Sequence, residues 1–371
     1  MKIQDITNFL ETVAPASLQE NYDNAGLLTG SAGWDCTGII TTLDATEEVV
    51  LEAIQKNCNL VIAHHPIIFG GLKKINGKNY VEKSVITAIK NDIAIFAIHT
   101  NLDHVMHGVN GKMADVLGLI NRQILQPKKN LVKKLVTFVP TLQAETVRSA
   151  IFKAGGGHIG NYSECSFNSQ GEGTFKAGEG TNPFVGSQGK RHTENEMKIE
   201  LIFPAWLEGD IYNALINAHP YEEVAYDIIS LDNGHQQTGA GMVGELEAAI
   251  SEVNFLQLLQ NAFRLSVTRH TPLTGKLVKK VALCGGAGSF LIGAAVASGA
   301  DFYVTGDVKY HEFFDANGHL VIADIGHYES EQFTIELLFD ILSEKFPNFA
   351  VQKSGVKTNP VNYFVAASKS Q

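Results

Sequence analysis

The residues in this sequence best suited to chemistry are imidazoles and carboxylates held in three short segments. LVIAHHP carries His64 and His65, IFAIHTNLD carries His99 and Asp103, and HLVIADIGHYESE carries His327 and Glu331. Of the thirteen histidines, His64, His65, His99, His104 and His107 crowd between residues 64 and 107. Imidazole nitrogen and carboxylate oxygen together suit borderline divalent metals, zinc or iron ahead of manganese or nickel. A tetrahedral zinc takes four donors, and a catalytic one three plus water, so His64, His65, Asp103, His327 and Glu331 are too many for one ion. They suggest two. Ions about 3.5–4 Å apart need a bridge, and Glu331 is the expected one. Successive side chains of an extended strand point oppositely, so His64 and His65 should serve different ions. If a helix starts near Gly326, the spacing of His327 and Glu331 puts both on one face. Each piece also has a plainer reading: a strand histidine satisfied in a core, or a surface His–Glu pair. The concurrence of three such segments favours the metal site.

Donors so dispersed need elements that bring them to one edge. Each segment is an apolar strand pattern with polar groups at or just past its end, and ligands of open α/β sheets collect beyond the carboxyl ends of strands. Between them DITNFLETVAP, TEEVVLEAIQKN, SVITAIKND and GVNGKMADVLGL read as helices, and GIITTL as a further strand. This βαβ rhythm predicts an α/β layered domain with buried strands. From about Lys128 the rhythm changes. KLVTFVP, MKIELIFP and EVAYDIISL read as strands, AETVRSAIFKAG and EGDIYNALINAH as helices, and a glycine-rich tract over 155–189 as a loop or short hairpin. The order is β-α-β-β-α-β if that tract pairs, which predicts a ferredoxin-like α+β insert. After Leu246 the first rhythm returns with NFLQLLQNAF, KKVALCGG, FLIGAAVASG and DFYVTGD. The expected organisation is one discontinuous α/β metal-binding domain, residues 1–127 and 246–371, interrupted by an insert over 128–245. Asp103 and His327 then lie on opposite sides of the insert in sequence and must meet in space to share a site.

The length of 371 residues allows two or three domains, and 44% hydrophobic with 18% charged residues is an ordinary globular composition. A net charge of −10 gives no support to broad nucleic-acid binding. An anionic ligand would therefore need a local positive centre, which a divalent ion supplies. No apolar run approaches the ~20 residues of a membrane helix. The opening MKIQDITNFLETVAP carries acids where a secretory signal is basic, so the expected compartment is the cytoplasm. Cys36, Cys58, Cys165 and Cys284 are scattered without a C-x-x-C pair, which suggests neither a disulfide framework nor a zinc ribbon.

In order, NYDNAGLLTG, VIAHHPIIF, HTNLDH, CGGAGSF, TGDVKYHEFFDA and GHYESE resemble the motif series of the GTP cyclohydrolase 1 type 2 homologue family. That family is also described as the NGG-one-interacting factor three family. The resemblance spans both outer portions of the chain and implies a dinuclear site of His64, His65, Asp103, His327 and Glu331. The middle, with HPYEEVAYD, is similar to the PII- and CutA-like inserted domain of the longer members. Such members imply a toroidal homohexamer with its metal sites facing an internal cavity. The resemblance also sets TGDVKYHEFFDA near the ions, which makes His311 a candidate proton carrier beside His99. Plainer readings are a helix cap with solvated charges for His311 and a filled strand end for His99.

Other residues stay open. Gly285, Gly286, Gly288 and Ser289 could hold an anion on backbone amides or simply form a tight turn. Asp23 and Asn24 could cap a turn or touch the site, and Lys309 could meet a phosphate. Tyr221, Glu222 and Glu223 could serve a subunit interface or a small ligand.

The leading function is a di-metal-dependent hydrolase acting on a nucleotide or another small anion. The family name points to GTP, with opening of its imidazole ring and release of formate. The alternative is a non-catalytic metal-binding regulatory or interaction protein whose insert senses a metabolite or contacts a partner. Nucleic acid in a ring cavity is a third reading, opposed by the charge.

Overall fold

Strands that are apolar on both faces must be covered on both, and the period-two alternation of side chains shows which residues meet which layer. The computed structural model describes residues 1–364, in two compact units: Met1–Gln126 with the chain from Gln237 on, and Pro127–Gln236.

The first unit contains two sheets. One has five strands in the spatial order Gly26–Thr29, Ala94–Ala97, Leu60–His65, Ile39–Asp44 and Val351–Lys353. All neighbours are parallel except the first pair. On one face Leu60, Ile62 and Phe96 pack with Ile3, Ile6 and Leu10 of the helix Ile3–Val13 and Leu338 and Leu342 of Thr334–Lys345. On the other, Val61, Ala63 and Ile95 pack with Val49 and Val50 of Glu47–Gln55 and Val85 of Tyr80–Lys90.

The second sheet runs Arg269–His270, Val321–Asp324, Phe302–Gly306, Leu277–Ala287, Gly239–Ser251 and Ile120–Pro127. Its three parallel strands, Val321–Asp324, Phe302–Gly306 and Leu277–Ala287, are neighbours. Phe302 and Val304 face Phe255, Leu259 and Phe263 of the helix Glu252–Phe263, and Tyr303 and Ile322 face Leu291, Ile292 and Ala295.

The strand Gly239–Ser251 moves the expected insert boundary. It pairs antiparallel with Leu277–Ala287, Met242 opposite Leu283 and Glu245 opposite Lys280, so the residues from Gln237 to Glu245 belong to the first unit. Glycine within this strand marks close backbone approach. At Gly241, with φ +63°, a Cβ would come 2.8 Å from Leu291 Cδ1.

The second unit has one antiparallel sheet in the order Phe167–Lys176, Arg191–Pro204, Val132–Pro140 and Tyr226–Leu231. Val147 and Ile151 of the helix Ala144–Lys153, and Ile211 and Leu215 of Glu208–Ala218, cover its inner face at Leu135, Val139, Ile199 and Leu201. The glycine tract is more ordered than expected. It holds the strand Phe167–Lys176, paired in register from Phe167 opposite Glu200 to Lys176 opposite Arg191. Glycine weakens the strand pattern, and the long partner strand supplies the pairing.

Among the described residues no helix is long and apolar enough to cross a membrane, and the four cysteines are free thiols.

The glycine turn at the end of Leu277–Ala287 is clasped from the neighbouring strand. Gly288 N donates to Thr305 Oγ1 at 3.0 Å, Thr305 Oγ1 donates to Gly286 O at 3.1 Å, and Tyr303 Oη donates to Gly288 O at 2.6 Å. Thr305→Val keeps the side-chain shape and removes two of these bonds. It should cost about 1–3 kcal/mol, read as a lower urea midpoint by circular dichroism; an unchanged midpoint would show that the turn stands without Thr305.

Candidate metal centre

His64 and His65 close the strand Leu60–His65, and His65 stands in register with Asp44, the last residue of the neighbouring strand. His99 follows the strand Ala94–Ala97 and precedes the short helix Thr100–Asp103, which ends in the expected donor. From the second sheet, the chain turns after Val321–Asp324 through Gly326 into the helix His327–Glu331. Gly326 has φ +93°, a conformation glycine adopts without steric cost.

Glu331 is the centre of the arrangement and is only 3% exposed. Its Oε2 lies 2.9 Å from His65 Nε2 and 3.1 Å from His327 Nε2. Its Oε1 lies 3.8 Å from His64 Nε2, which is itself 3.6 Å from Asp103 Oδ1. Donor atoms of His65, His327 and Glu331 lie within 4.8 Å of one another, as do those of His64, Asp103 and Glu331. Two donor triads thus share one carboxylate. His64, His65 and His99 form a further such group, so His99 stands among the donors as well as beside them.

The residues fit a bound cation on two grounds. His64 Nε2 and Asp103 Oδ1 are shut off from solvent and have no hydrogen-bond partner among the described residues, and their separations exceed hydrogen-bond length. Such buried polar atoms are costly unless something satisfies them. The second ground is the far side of each ring. His64 Nδ1 donates to Ile98 O at 2.9 Å, His65 Nδ1 to Asp44 Oδ1 at 2.8 Å, His327 Nδ1 to Asp307 Oδ2 at 2.7 Å and His99 Nδ1 to Asp23 Oδ1 at 2.8 Å. Each bond fixes the tautomer and leaves Nε2 for the cluster, the usual arrangement of a ligating imidazole.

The electrostatics run the same way. Burial opposes ionisation of Glu331, but facing His327, His64 and His65 hold its carboxyl well below the ordinary range. Burial and the charge of Glu331 push Asp103 well above its ordinary value. Burial also opposes charge on His65 and His327, yet bonds to Asp44 and Glu331 raise His65 to about 10, and Glu331 with Asp307 raises His327 to about 9. Protons on these two rings balance Glu331, and metal binding would displace them.

The cluster opens on a cavity of about 870 Å³ whose walls include His65, His99, Asp103, His327 and Glu331. Tyr22 and Phe69 also line it, their rings stacked at 6.4 Å and 23°. Among the described residues that line it, none is Lys or Arg.

Other expected residues fall differently. His311 is outside the cluster and the cavity lining: it is exposed, beside Tyr310 and stacked on Phe314. The turn at Asp307, with φ +54°, carries the chain past the site, and Asp307 itself is the part of that motif that reaches His327. Lys309 is exposed in the same segment. The glycines form a tight turn rather than an anion cradle, because their amides are used internally. Gly285 N donates to Asn110 Oδ1 and Gly286 N to Ser330 Oγ, both at 2.9 Å, and a Cβ on Gly286 would fall 2.4 Å from Glu331 Oε1. Asp23 serves the site, accepting from His99 and from Thr100 N and Oγ1.

Sequence reasoning missed Asp44, Asn110 and Thr358. Asp44 was findable, since it ends an apolar strand at the same edge as His65. Asn110 donates to Asp103 O and accepts from Gly285 N, and Thr358 Oγ1 donates to Asp44 Oδ2; neither residue sits in a pattern that marks it.

A family profile for Duf34/NIF3 (NGG1p interacting factor 3) matches residues 1–360. A protein of Halalkalibacterium halodurans named GTP cyclohydrolase 1 type 2 homolog is 40% identical over 365 residues, 97% of this chain and 98% of its own. A Bacillus subtilis protein of the same name is 38% identical over 327 residues, 88% of each chain. The crystal structure of a Bacillus cereus protein related to NIF3 superposes with a TM-score of 0.86 at 39% identity, covering 98% of this chain and 99% of that one.

Asp44→Asn removes the carboxylate behind His65 without touching a donor. It should weaken zinc retention about 10–100-fold in competition with a chromogenic chelator; retention equal to the parent's would show that Asp44 does not orient His65.

Proposed function

This chain belongs to the Duf34/NIF3 family, and from that premise we propose that it is a hydrolase that works with two divalent ions. His65, His327 and Glu331 would hold one ion, and His64, Asp103 and Glu331 the other. The observation that carries the reading is the way Glu331 offers one oxygen to each donor pair, with His64 Nε2 and Asp103 Oδ1 otherwise unsatisfied. Zinc or iron suits this set first, with manganese or nickel next. Such ions supply Lewis acidity when bound, activating water near neutral pH and polarising a substrate oxygen.

The protein's own part is orientation and proton handling. Burial opposes charge on Asp23, but His99 and Thr100 hold it ionised far below the ordinary range. An ionised Asp23 keeps the proton of His99 on Nδ1 and leaves Nε2 to accept one from a reacting group, the division of labour of a carboxylate-held imidazole base. His99 therefore takes the proton-carrying role in this proposal, and His311 does not.

GTP is the substrate to test first, because relatives carry the cyclohydrolase name. The reaction would open the imidazole ring and release formate. Tyr22 and Phe69 offer aromatic faces to a planar ring at the cavity. With no lysine or arginine among the described residues of the lining, phosphate oxygens would depend on the ions for countercharge.

The second reading, a regulatory metal-binding protein, draws on the insert. Its strand order and its two helices on one face support a ferredoxin-like unit of the PII- and CutA-like kind.

Protein reconstituted with zinc, iron or manganese should bind two equivalents and release formate from GTP. Glu331→Ala should lose both ions and turnover. His99→Ala should lose about 10²–10⁴ in kcat when compared at equal metal occupancy. Full metal occupancy without formate from GTP would discard that substrate and favour another hydrolysis or the regulatory reading.

A further inference from the structure

The motif HPYEEVAYD takes no part in the metal centre. In the unit Pro127–Gln236 its Tyr221 lines a cavity of about 670 Å³, all of whose lining residues belong to that unit. Pockets of this size commonly hold small molecules. Phe175 and Phe184 also line it, their ring centroids 5.9 and 6.4 Å from that of Tyr221. With Phe138, four aromatic residues of the described chain line this cavity.

A carboxylate stands with them. Glu196 lines the same cavity, is 9% exposed and accepts a hydrogen bond from Tyr221 Oη at 2.9 Å. Gly173, across the strand pair, makes room for it: a Cβ there would fall 2.0 Å from Glu196 Oε2. The arrangement is braced on both sides. His219 Nε2 donates to Phe138 O at 3.0 Å while its Nδ1 accepts from Tyr221 N at 3.1 Å. Glu222 Oε1 accepts from Asn182 N at 2.9 Å, tying down the segment that carries Phe184. Burial and the bond to Glu196 raise the Tyr221 phenol above its ordinary value, so it stays a donor.

Aromatic faces present negative potential to a cation, and a buried carboxylate adds a full charge beside them. Four carboxylates line the cavity against two lysines, and Lys198 Nζ is 3.2 Å from Glu200 Oε1. We propose that the inserted unit binds a small organic cation, an ammonium, amidinium or guanidinium group on an apolar body. Its charge meets Glu196 and its body lies against Phe175, Phe184 and Tyr221. The inference is independent of the metal centre.

Benzamidine and its neutral near-isostere benzamide separate charge from shape. Titrated into the full chain by calorimetry, benzamidine should bind at least about tenfold more tightly than benzamide. Glu196→Gln should weaken benzamidine about 10–100-fold and leave benzamide unchanged. Phe184 is 51% exposed, so Phe184→Ala leaves the core intact, and it should weaken benzamidine by about threefold or more. Equal binding of the two probes, or benzamidine binding in both variants equal to the parent's, would overturn the proposal.

Discussion

The interaction on which the first unit depends is the convergence of His64, His65 and His327 on the buried carboxylate of Glu331. Glu331 is carried by the second sheet of the first unit, yet His64 and His65 come from the first sheet and His327 from its own helix. Meeting its demand for countercharge forces the carboxyl edges of two sheets together. Gly286 must be glycine because Glu331 Oε1 occupies the space a side chain would need. Asn110 ties the backbone of Asp103 to Gly285, so the two edges are linked by a neutral hydrogen-bond bridge as well as by charge.

The same constraint reaches outward. Each imidazole is held from behind by an oxygen: a backbone carbonyl for His64, Asp44 for His65, Asp307 for His327 and Asp23 for His99. Asp44 is in turn held by Thr358, so a residue near the end of the described chain contributes to a site begun at His64. The insertion leaves this undisturbed for a topological reason. The chain leaves the first unit at the end of Ile120–Pro127 and re-enters with Gly239–Ser251, and these two strands are neighbours in one sheet. Exit and return lie side by side, so the unit between them can fold around its own core of Leu135, Ile199, Leu201 and the two helices above them.

Much of this was legible because it rests on local pattern. Apolar strands ending in HH and ADIGH placed His64, His65 and His327 at a sheet edge, and the four-residue spacing of His327 and Glu331 put both on one helical turn. Long-range pairing was less legible. Residues 239–245 were given to the insert because the first rhythm is recognisable only after Leu246, and their pairing with Leu277–Ala287 is a long-range contact. Phe167–Lys176 read as a loop or short hairpin because glycine and polar residues obscure a ten-residue strand whose partner is what stabilises it. His311 was placed near the ions by the family motif that contains it, but it lies exposed, beside Tyr310 and Phe314.

The family and the mixed α/β class were readable from the residues alone, since residue type and short-range periodicity are properties of contiguous chain. Folding sets which oxygen of Glu331 meets which histidine, that Asp23 and Asp44 stand behind two of the rings, and that Glu196 joins aromatic residues in one cavity. These contacts join residues far apart in the chain, and nothing in a segment's own periodicity records the distance to a partner it meets only when the sheets close.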